Sequence, residues 1–420
     1  VFYGLDGDDI FRFSGDIDHN DRIFGGDGFD SLIGSSGNDS LLLRDMDSIE
    51  YIDMGAGTDF IRSYSNGTLD ISAYTVGVDF IGVEYIIDNT GTETITGTAQ
   101  ADEIQMNSDS NADTFNGGDG DDTFRFSGNV NGGDLVYGGA GTDQIIGSNG
   151  NNGLTLSVFD SIELIDLGAG NDYMRADTNG SLDLSAYTVG VDLLGVEYIT
   201  DNGNAETVTG TAQADEIHLN ADTYADTFNG GNGDDTFVVN GAVNGGDRIY
   251  GGLGTNVITA TASNDILNVT VLDDISSIDF GDGDDGFIIG SSVSLAGMVV
   301  DMGTGTDYIG ARSGGTLDLS SYTLGVDILN LEYIQDSTGA ETITGTAQAD
   351  VIHMQEDTYA DTFNGGDGDD TFVVNGAVNG GDRIHGGLGT NVITATAGND
   401  ILNVTALTDI SSIDFGDGDD

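Results

Sequence analysis

Gly117-Gly118-Asp119-Gly120-Asp121-Asp122-Thr123-Phe124 is the stretch from which the rest of this chain can be read. Glycine reaches positive backbone torsions without a Cβ penalty and lets carbonyl groups turn toward a common point. Asp122, sixth in the stretch, places a short carboxylate at the end of that turn, and Asp122-Thr123-Phe124 starts a period-two alternation that sends Phe124 to one face of a strand. The octet predicts a tight turn that feeds a short strand carrying one inward apolar side chain. Close copies run Gly25 to Leu32, Gly138 to Ile145, Gly230 to Phe237 and Gly365 to Phe372, and a second copy, Gly34 to Leu41, follows directly on the first of them.

Working outward, the whole chain repeats itself. Gly4-Leu5-Asp6-Gly7-Asp8-Asp9 returns at Gly117, Gly230 and Gly365, two equal steps and then a longer one, and the segments starting at Ser72, Ser185 and Ser320 keep the same steps. Residues 358–420 repeat 223–285 at all but five positions. These steps define units 4–116, 117–229 and 230–364 and a partial unit 365–420, expected to form one continuous solenoid over 1–420. The third unit exceeds the others by one short segment, and Asp279 to Asp285 is echoed by Asp301 to Asp307. Coils of about 22 residues would make the shorter units five coils and the longer one six, the arithmetic of a stack that grows by whole rungs. Strands this short cannot bury a face alone, so ladders of Phe, Ile, Leu and Val along the stack must supply a narrow core. A two-sheet roll and a three-sided helix both satisfy the spacing.

Composition excludes much else. The 420 residues carry nine basic and 73 acidic side chains, a formal net charge of -64, with no Cys, Pro or Trp. All the basic residues are Arg, so Lys chemistry is absent and nucleic acid is repelled. No apolar run approaches the roughly 20 residues of a membrane helix, so no membrane insertion is expected. Without Cys, any staple must be something other than a disulfide. The chain is nevertheless 38% hydrophobic, with 18 Phe and 15 Tyr, which is enough apolar material to fold.

The pattern Gly-Gly-x-Gly-x-Asp-x-apolar-x resembles the repeats-in-toxin (RTX) family of secreted bacterial proteins, as in large adhesins and surface-layer proteins. The resemblance implies an all-β, right-handed parallel β-solenoid, a β-roll or β-helix, with several calcium ions between its turns. Calcium accepts six to eight oxygens, which carboxylates and inward carbonyls of two stacked coils can supply. The expected ligands are the carboxylates of Asp9, Asp30, Asp39, Asp59, Asp122, Asp134, Asp143, Asp172, Asp235, Asp247, Asp265, Asp285, Asp307, Asp370, Asp382 and Asp400. Asp27, Asp119, Asp282 and Asp367 join them from inside the turns, with the carbonyls of Gly25, Gly117, Gly230 and Gly365. Asn stands at the sixth position at Asn152, Asn256 and Asn391, and the Thr-Gly-Thr-Ala-Gln-Ala-Asp copies lack the central Gly, so weak or absent binding is expected there. Leu69 to Asp79 reads as a metal-free rung held by apolar packing.

Other chemistries have little support in the residues. His218 and His353 occupy equivalent positions in successive units, and His385 aligns with Tyr250; each reads as a surface polar position, and the sequence places no partner for His19. Carboxylates occur everywhere, with no unique cluster to mark an enzyme. Thr pairs such as Thr96/Thr98 and Thr259/Thr261 suggest an ice-binding face but recur on few coils, and Tyr74, Tyr187 and Tyr322 read as core or sheet-face residues before glycan contacts. The chain starts and ends inside repeats, as expected of part of a longer protein or of a piece that stacks on itself. The expectation is a calcium-dependent extracellular scaffold, an adhesin shaft, surface layer or filament, that self-associates end to end or side by side; the alternative is a module that binds a surface polysaccharide or ice. Export by the type I route is implied by the family resemblance alone.

Overall fold

The computed structural model describes residues 1–17, 22–42 and 45–420, with side chains described at all of these except 16, 17, 22 and 45–47. His19 lies outside the described residues. Among the described residues there is no helix, and the strand pairings are parallel throughout. The chain divides into two compact units, Val1–Leu182 with Tyr187–Ile199, and Asp183–Ala186 with Thr200–Asp420.

In the first unit successive strands alternate between two sheets. Thr94–Thr96, Thr114–Asp119 and Asn129–Ala140 are neighbours in one, while Glu103–Gln105, Thr123–Arg125 and Gln144–Ile146 are neighbours in the other. This is a β-solenoid built as a roll. Thr94 pairs with Thr114 and Thr114 with Leu135, so one regular coil runs from 94 to 113 and the next from 114 to 134, each a little shorter than expected. One residue of each strand triplet points inward. Ile86, Ile104, Phe124, Ile145 and Ile165 form a single file in register, each at most 1% exposed, and Ile95, Phe115 and Val136 form a facing file. Burying each such side chain contributes roughly 1.5–3 kcal/mol, and no coil has a core without its neighbours.

The second unit repeats this plan. Thr207–Thr209, Thr227–Asn232 and Ala242–Leu253 lie in one sheet and Glu216–Asn220, Thr236–Asn240 and Val257–Ala260 in the other. The segment that lengthens the third sequence repeat is one coil: Ser277 pairs with Val299 and Gly286 with Tyr308. That coil has the expected length, but the others match it only on average, because longer coils offset the short ones. Those longer coils are three-sided. Phe60–Arg62, Thr68–Asp70 and Phe80–Ile81 lie in three different sheets before Tyr85–Ile87 returns to the first, with Phe60 paired to Tyr85, so this coil runs from 60 to 84. Tyr308–Ala311, Thr316–Asp318, Ile328–Leu329 and Tyr333–Gln335 do the same in the second unit.

Apolar packing holds these wider rungs, as their sequence predicts. Leu69, Ile71 and Phe80 are at most 6% exposed, and half-buried Tyr74 donates its hydroxyl hydrogen to Ile49 O at 2.6 Å. Tyr187 does likewise to Ile162 O at 2.8 Å. Files of Thr are short: Thr68, Thr94 and Thr114 are in register, but the next residue in that file is Leu135.

Candidate metal centres

The sixth-position carboxylates are stacked, and each is held by the coil before it. Asp102 N–H donates to Asp122 Oδ1 at 2.8 Å, Asp122 N–H to Asp143 Oδ1 at 2.8 Å, and Asp143 N–H to Glu163 Oε2 at 2.7 Å. In the second unit Asp265, Asp285, Asp307 and Glu332 form the same ladder at 2.7–2.8 Å. One oxygen of each carboxylate is thereby spent on the backbone.

The other oxygen is aimed at the first glycine of the turn. A Cβ on Gly117 would press on Asp122 Oδ2 and lie 2.7 Å from Gly138 O; one on Gly230 would press on Asp235 Oδ2 and lie 2.8 Å from Gly251 O. At Gly365 the neighbours are Asp370 Oδ2 and Gly386 O, at Gly25 they are Asp30 Oδ2 and Ser48 O, and at Gly138 they are Asp143 Oδ2 and Ser161 O. Glycine is required here because its missing side chain is the space between a carboxylate oxygen and the next coil's carbonyl oxygen. Two acceptors face one another with no donor between them.

That shortage of donors separates three kinds of turn. Oδ2 of Asp9, Asp30, Asp59, Asp122, Asp143, Asp172, Asp235, Asp247, Asp285, Asp307, Asp370 and Asp382 is buried with no hydrogen-bond partner. A buried unpaired charge is costly, whereas a hard cation among carboxylate and carbonyl oxygens satisfies it, so Asp9, Asp30, Asp122, Asp143, Asp235 and Asp370, whose turns open on a glycine, fit calcium, while the buried side chains of Met54, Leu167, Phe280 and Met302 stand at that position before Asp59, Asp172, Asp285 and Asp307. In the second kind a hydroxyl four positions earlier closes on the carboxylate. Thr98 donates N–H and O–H to Asp102 Oδ2 at 2.6 and 3.0 Å, Thr261 does so to Asp265 at 2.9 and 2.7 Å, and Ser35 and Thr396 engage Asp39 and Asp400. In the third kind the carboxylate is replaced by an amide. Asn256 Nδ2 donates to Asp274 O at 3.0 Å and Asn391 Nδ2 to Asp409 O at 3.1 Å, while Asn152 Nδ2 donates to Leu167 O at 3.0 Å. In these turns an N–H group occupies the position a cation would take.

Burial raises the affinity of the orphaned groups for protons. Asp122 is pushed up to about 7 by burial and by the charges of Asp102 and Asp143, against the opposing hydrogen bond from the Asp102 amide. Burial likewise takes Asp247 to about 7 and Asp235 and Asp285 to about 6, and it takes Asp134, which is buried but not orphaned, to about 7. A bound cation replaces those protons, which couples metal uptake to pH and to folding.

The remaining expected ligands are placed differently. Asp27, Asp119, Asp282 and Asp367 are exposed on the turns, outside the buried rank, and Asp282 Oδ1 accepts the Thr304 hydroxyl at 2.6 Å. Asp134 lies where the long strand Asn129–Ala140 shifts register, and Asp247 and Asp382, already named for their orphaned Oδ2, lie at the same shift in Ala242–Leu253 and Ala377–Leu388 and not in a glycine turn. Their Oδ1 atoms accept the amides of Asp113, Asp226 and Asp361 at 2.8–2.9 Å. The histidines are polar side chains outside these ranks: His218 contacts Glu216 at 2.7 Å, His353 stacks 4.2 Å from Tyr333, and His385 contacts Thr408 at 2.9 Å.

One set of carboxylates is missing from the sequence reading. Asp88, Asp201 and Asp336 are buried, and burial first, then neighbouring carboxylates, pushes each to about 8. Glu93, Glu206 and Glu341 follow them, then Asp109, Asp222 and Asp357. All nine keep the steps of the long repeat, which was the available signal.

The chain matches the model of the RTX calcium-binding nonapeptide repeat, in its four-copy form, over residues 17–43, 106–128, 130–154, 200–237, 242–274, 336–353, 357–376 and 377–410. These segments cover more than half of the chain. No curated protein matches it. No helix among the described residues is long and apolar enough to cross a membrane.

Proposed function

Because the chain belongs to the RTX calcium-binding repeat family, we propose that it is a calcium-stapled structural segment of a large extracellular bacterial protein: an adhesin shaft, surface layer or filament subunit. The observation that carries this reading is the series of orphaned Oδ2 atoms facing carbonyl oxygens across the first glycines. Stacked coils such as those of Asp102, Asp122 and Asp143 bond one to the next, and His218, His353 and His385 contact neighbouring side chains away from these ranks. The chemistry is that of a scaffold, not of turnover. Calcium supplies the positive charge that lets stacked carboxylates stay ionised inside a narrow roll. In a low-calcium compartment the same charge would keep the chain open, which suits a protein that folds after export.

Far-UV circular dichroism and light scattering during calcium titration of the chelated chain, with magnesium as control, test this. A cooperative, calcium-specific gain of β signal is expected, with particle growth in the same titration if the segment self-associates. An unchanged β spectrum in excess chelator would overturn the stapled scaffold, and folding without particle growth would remove assembly from the proposal.

A further inference from the structure

Beyond the glycine turns, we propose that Asp201, Asp222 and Asp226, and Glu341, Asp357 and Asp361, form a second class of site for a hard divalent cation, made by side chains alone. In each trio one carboxylate oxygen per residue lies within 4.8 Å of the others. That is the widest separation of two oxygens bound to one calcium at about 2.4 Å. The turns concerned, Asn220 to Asp226 and Gln355 to Asp361, contain no glycine. They therefore lack the opening glycine of the repeat, and a cluster of carboxylates stands there instead.

Asp201 is held by Asn220, whose N–H donates to Oδ1 at 3.1 Å and Oδ2 at 3.2 Å and whose Nδ2 donates to Oδ1 at 2.6 Å, but the other five residues each keep one oxygen free to bind. Asp226 is 1% exposed, Asp361 1% and Glu341 2%. Each spends one oxygen on a backbone amide: Asp226 Oδ1 on Glu206 at 2.6 Å, Asp361 Oδ1 on Glu341 at 2.7 Å, and Glu341 Oε1 on Gly314 at 2.5 Å. The second oxygen of all three is buried with no hydrogen-bond partner, as are Oδ2 of Asp222 and Asp357. Three carboxylates this close cannot all stay ionised without a cation among them.

The first repeat supplies an internal control. There Asn111 Nδ2 donates to Asp109 Oδ2 at 3.1 Å, locking the carboxylate that corresponds to Asp222 and Asp357. The later repeats have Tyr224 and Tyr359 at that position, with exposed rings, and contact Asp222 and Asp357 only through their backbone amides, at 3.0 Å to Oδ1. Two of the three copies thus gather a trio around this turn, one completed by Asp201 and the other by Glu341, which stand at different positions of the repeat.

Bound calcium per chain, counted by mass spectrometry of the element after equilibrium dialysis at fixed free calcium, tests the assignment. Asp222→Asn with Asp357→Asn keeps the amide caps and is expected to bind two fewer ions with the β spectrum intact. Asp109→Asn, which removes the same type of charge, is expected to lose none. An unchanged count in the double variant, or an equal loss per residue in Asp109→Asn, overturns the proposal. The glycine-turn ions remain in every variant, so their count reports on the scaffold reading separately. Should the double variant fail to fold, direct europium(III) excitation of the wild-type chain decides: its line position tracks the number of anionic ligands. A distinct tricarboxylate population supports the sites, and a single population overturns them.

Discussion

Asp143→Asn is expected to stabilise the metal-free chain and to destabilise the calcium-loaded one. Asp143 Oδ2 is orphaned beside the space in which Ser161 O faces Gly138. The equivalent turn at Gly251 already carries Asn256, whose Nδ2 donates to Asp274 O at 3.0 Å while its Oδ1 still accepts the Asp235 amide at 3.0 Å. Ser161 and Asp274 share the same left-handed φ of 56°, so the acceptor is presented alike in both turns. The substitution removes an unsatisfied buried charge and adds one hydrogen bond, together worth about 2 kcal/mol without metal. It also removes an ion that contributes about 4.1 kcal/mol when free calcium is a thousand times its Kd. The balance runs from a gain of about 2 kcal/mol in chelator to a deficit of similar size in calcium. Hydrogen exchange of peptides spanning 117–146 reads this locally, without assuming that a repeat array unfolds in one step. Sodium sulfate keeps the metal-free fold populated. Exchange about 30-fold slower in chelator and about 30-fold faster in calcium is expected, at about 1.4 kcal/mol per tenfold. An effect of one sign in both conditions, or an unchanged calcium count, would refute the reasoning.

The converse substitutions, Asn256→Asp and Asn391→Asp, are expected to add one calcium each and to weaken the metal-free chain, as calorimetric titration would register. Acidification should replace calcium: the native state keeps protons on Asp88, Asp122 and Asp134 up to about pH 7–8, whereas the unfolded chain releases them near pH 4. Metal-free stability is therefore full below about pH 4 and falls as pH rises through 7–8, in dichroism scans made without calcium; stability that rises over that range would contradict the burial of these groups. Phe124→Ala removes a fully buried ring between Ile104 and Ile145 and is expected to cost about 3–5 kcal/mol, seen as a lowered urea midpoint of the calcium-loaded chain.

The glycine octets made the solenoid and the inward Phe and Ile files legible, because turn and strand are each specified within a few positions. Coil length was less accessible. The distances between repeated motifs constrain only sums, and coils as unequal as 94–113, 114–134 and 60–84 add up as well as equal ones do. Among the Asp columns, the deciding residue stands four positions earlier: Gly118 and Gly139 leave Asp122 and Asp143 open, while Thr98 and Thr261 close on Asp102 and Asp265. That distinction is present in the sequence but gains meaning only from the turn geometry. The glycine-free trios are not legible in the sequence because Asp201 and Asp226 are far apart along the chain and meet only through coil stacking.

Within each unit, the amide ladder gives the stack a grain. Asp122 cannot settle its N–H until Asp143 has arrived, and Asp143 waits in turn on Glu163. Coils overlap like roof tiles, each pinned by the one laid after it. A tile added on the N-terminal side finds a carboxylate already waiting, whereas one added on the C-terminal side must supply the pin for its predecessor. Damage at the two ends therefore bares different groups: stripping a coil from the C-terminal side leaves an amide without its acceptor, and stripping one from the N-terminal side leaves a carboxylate without its donor.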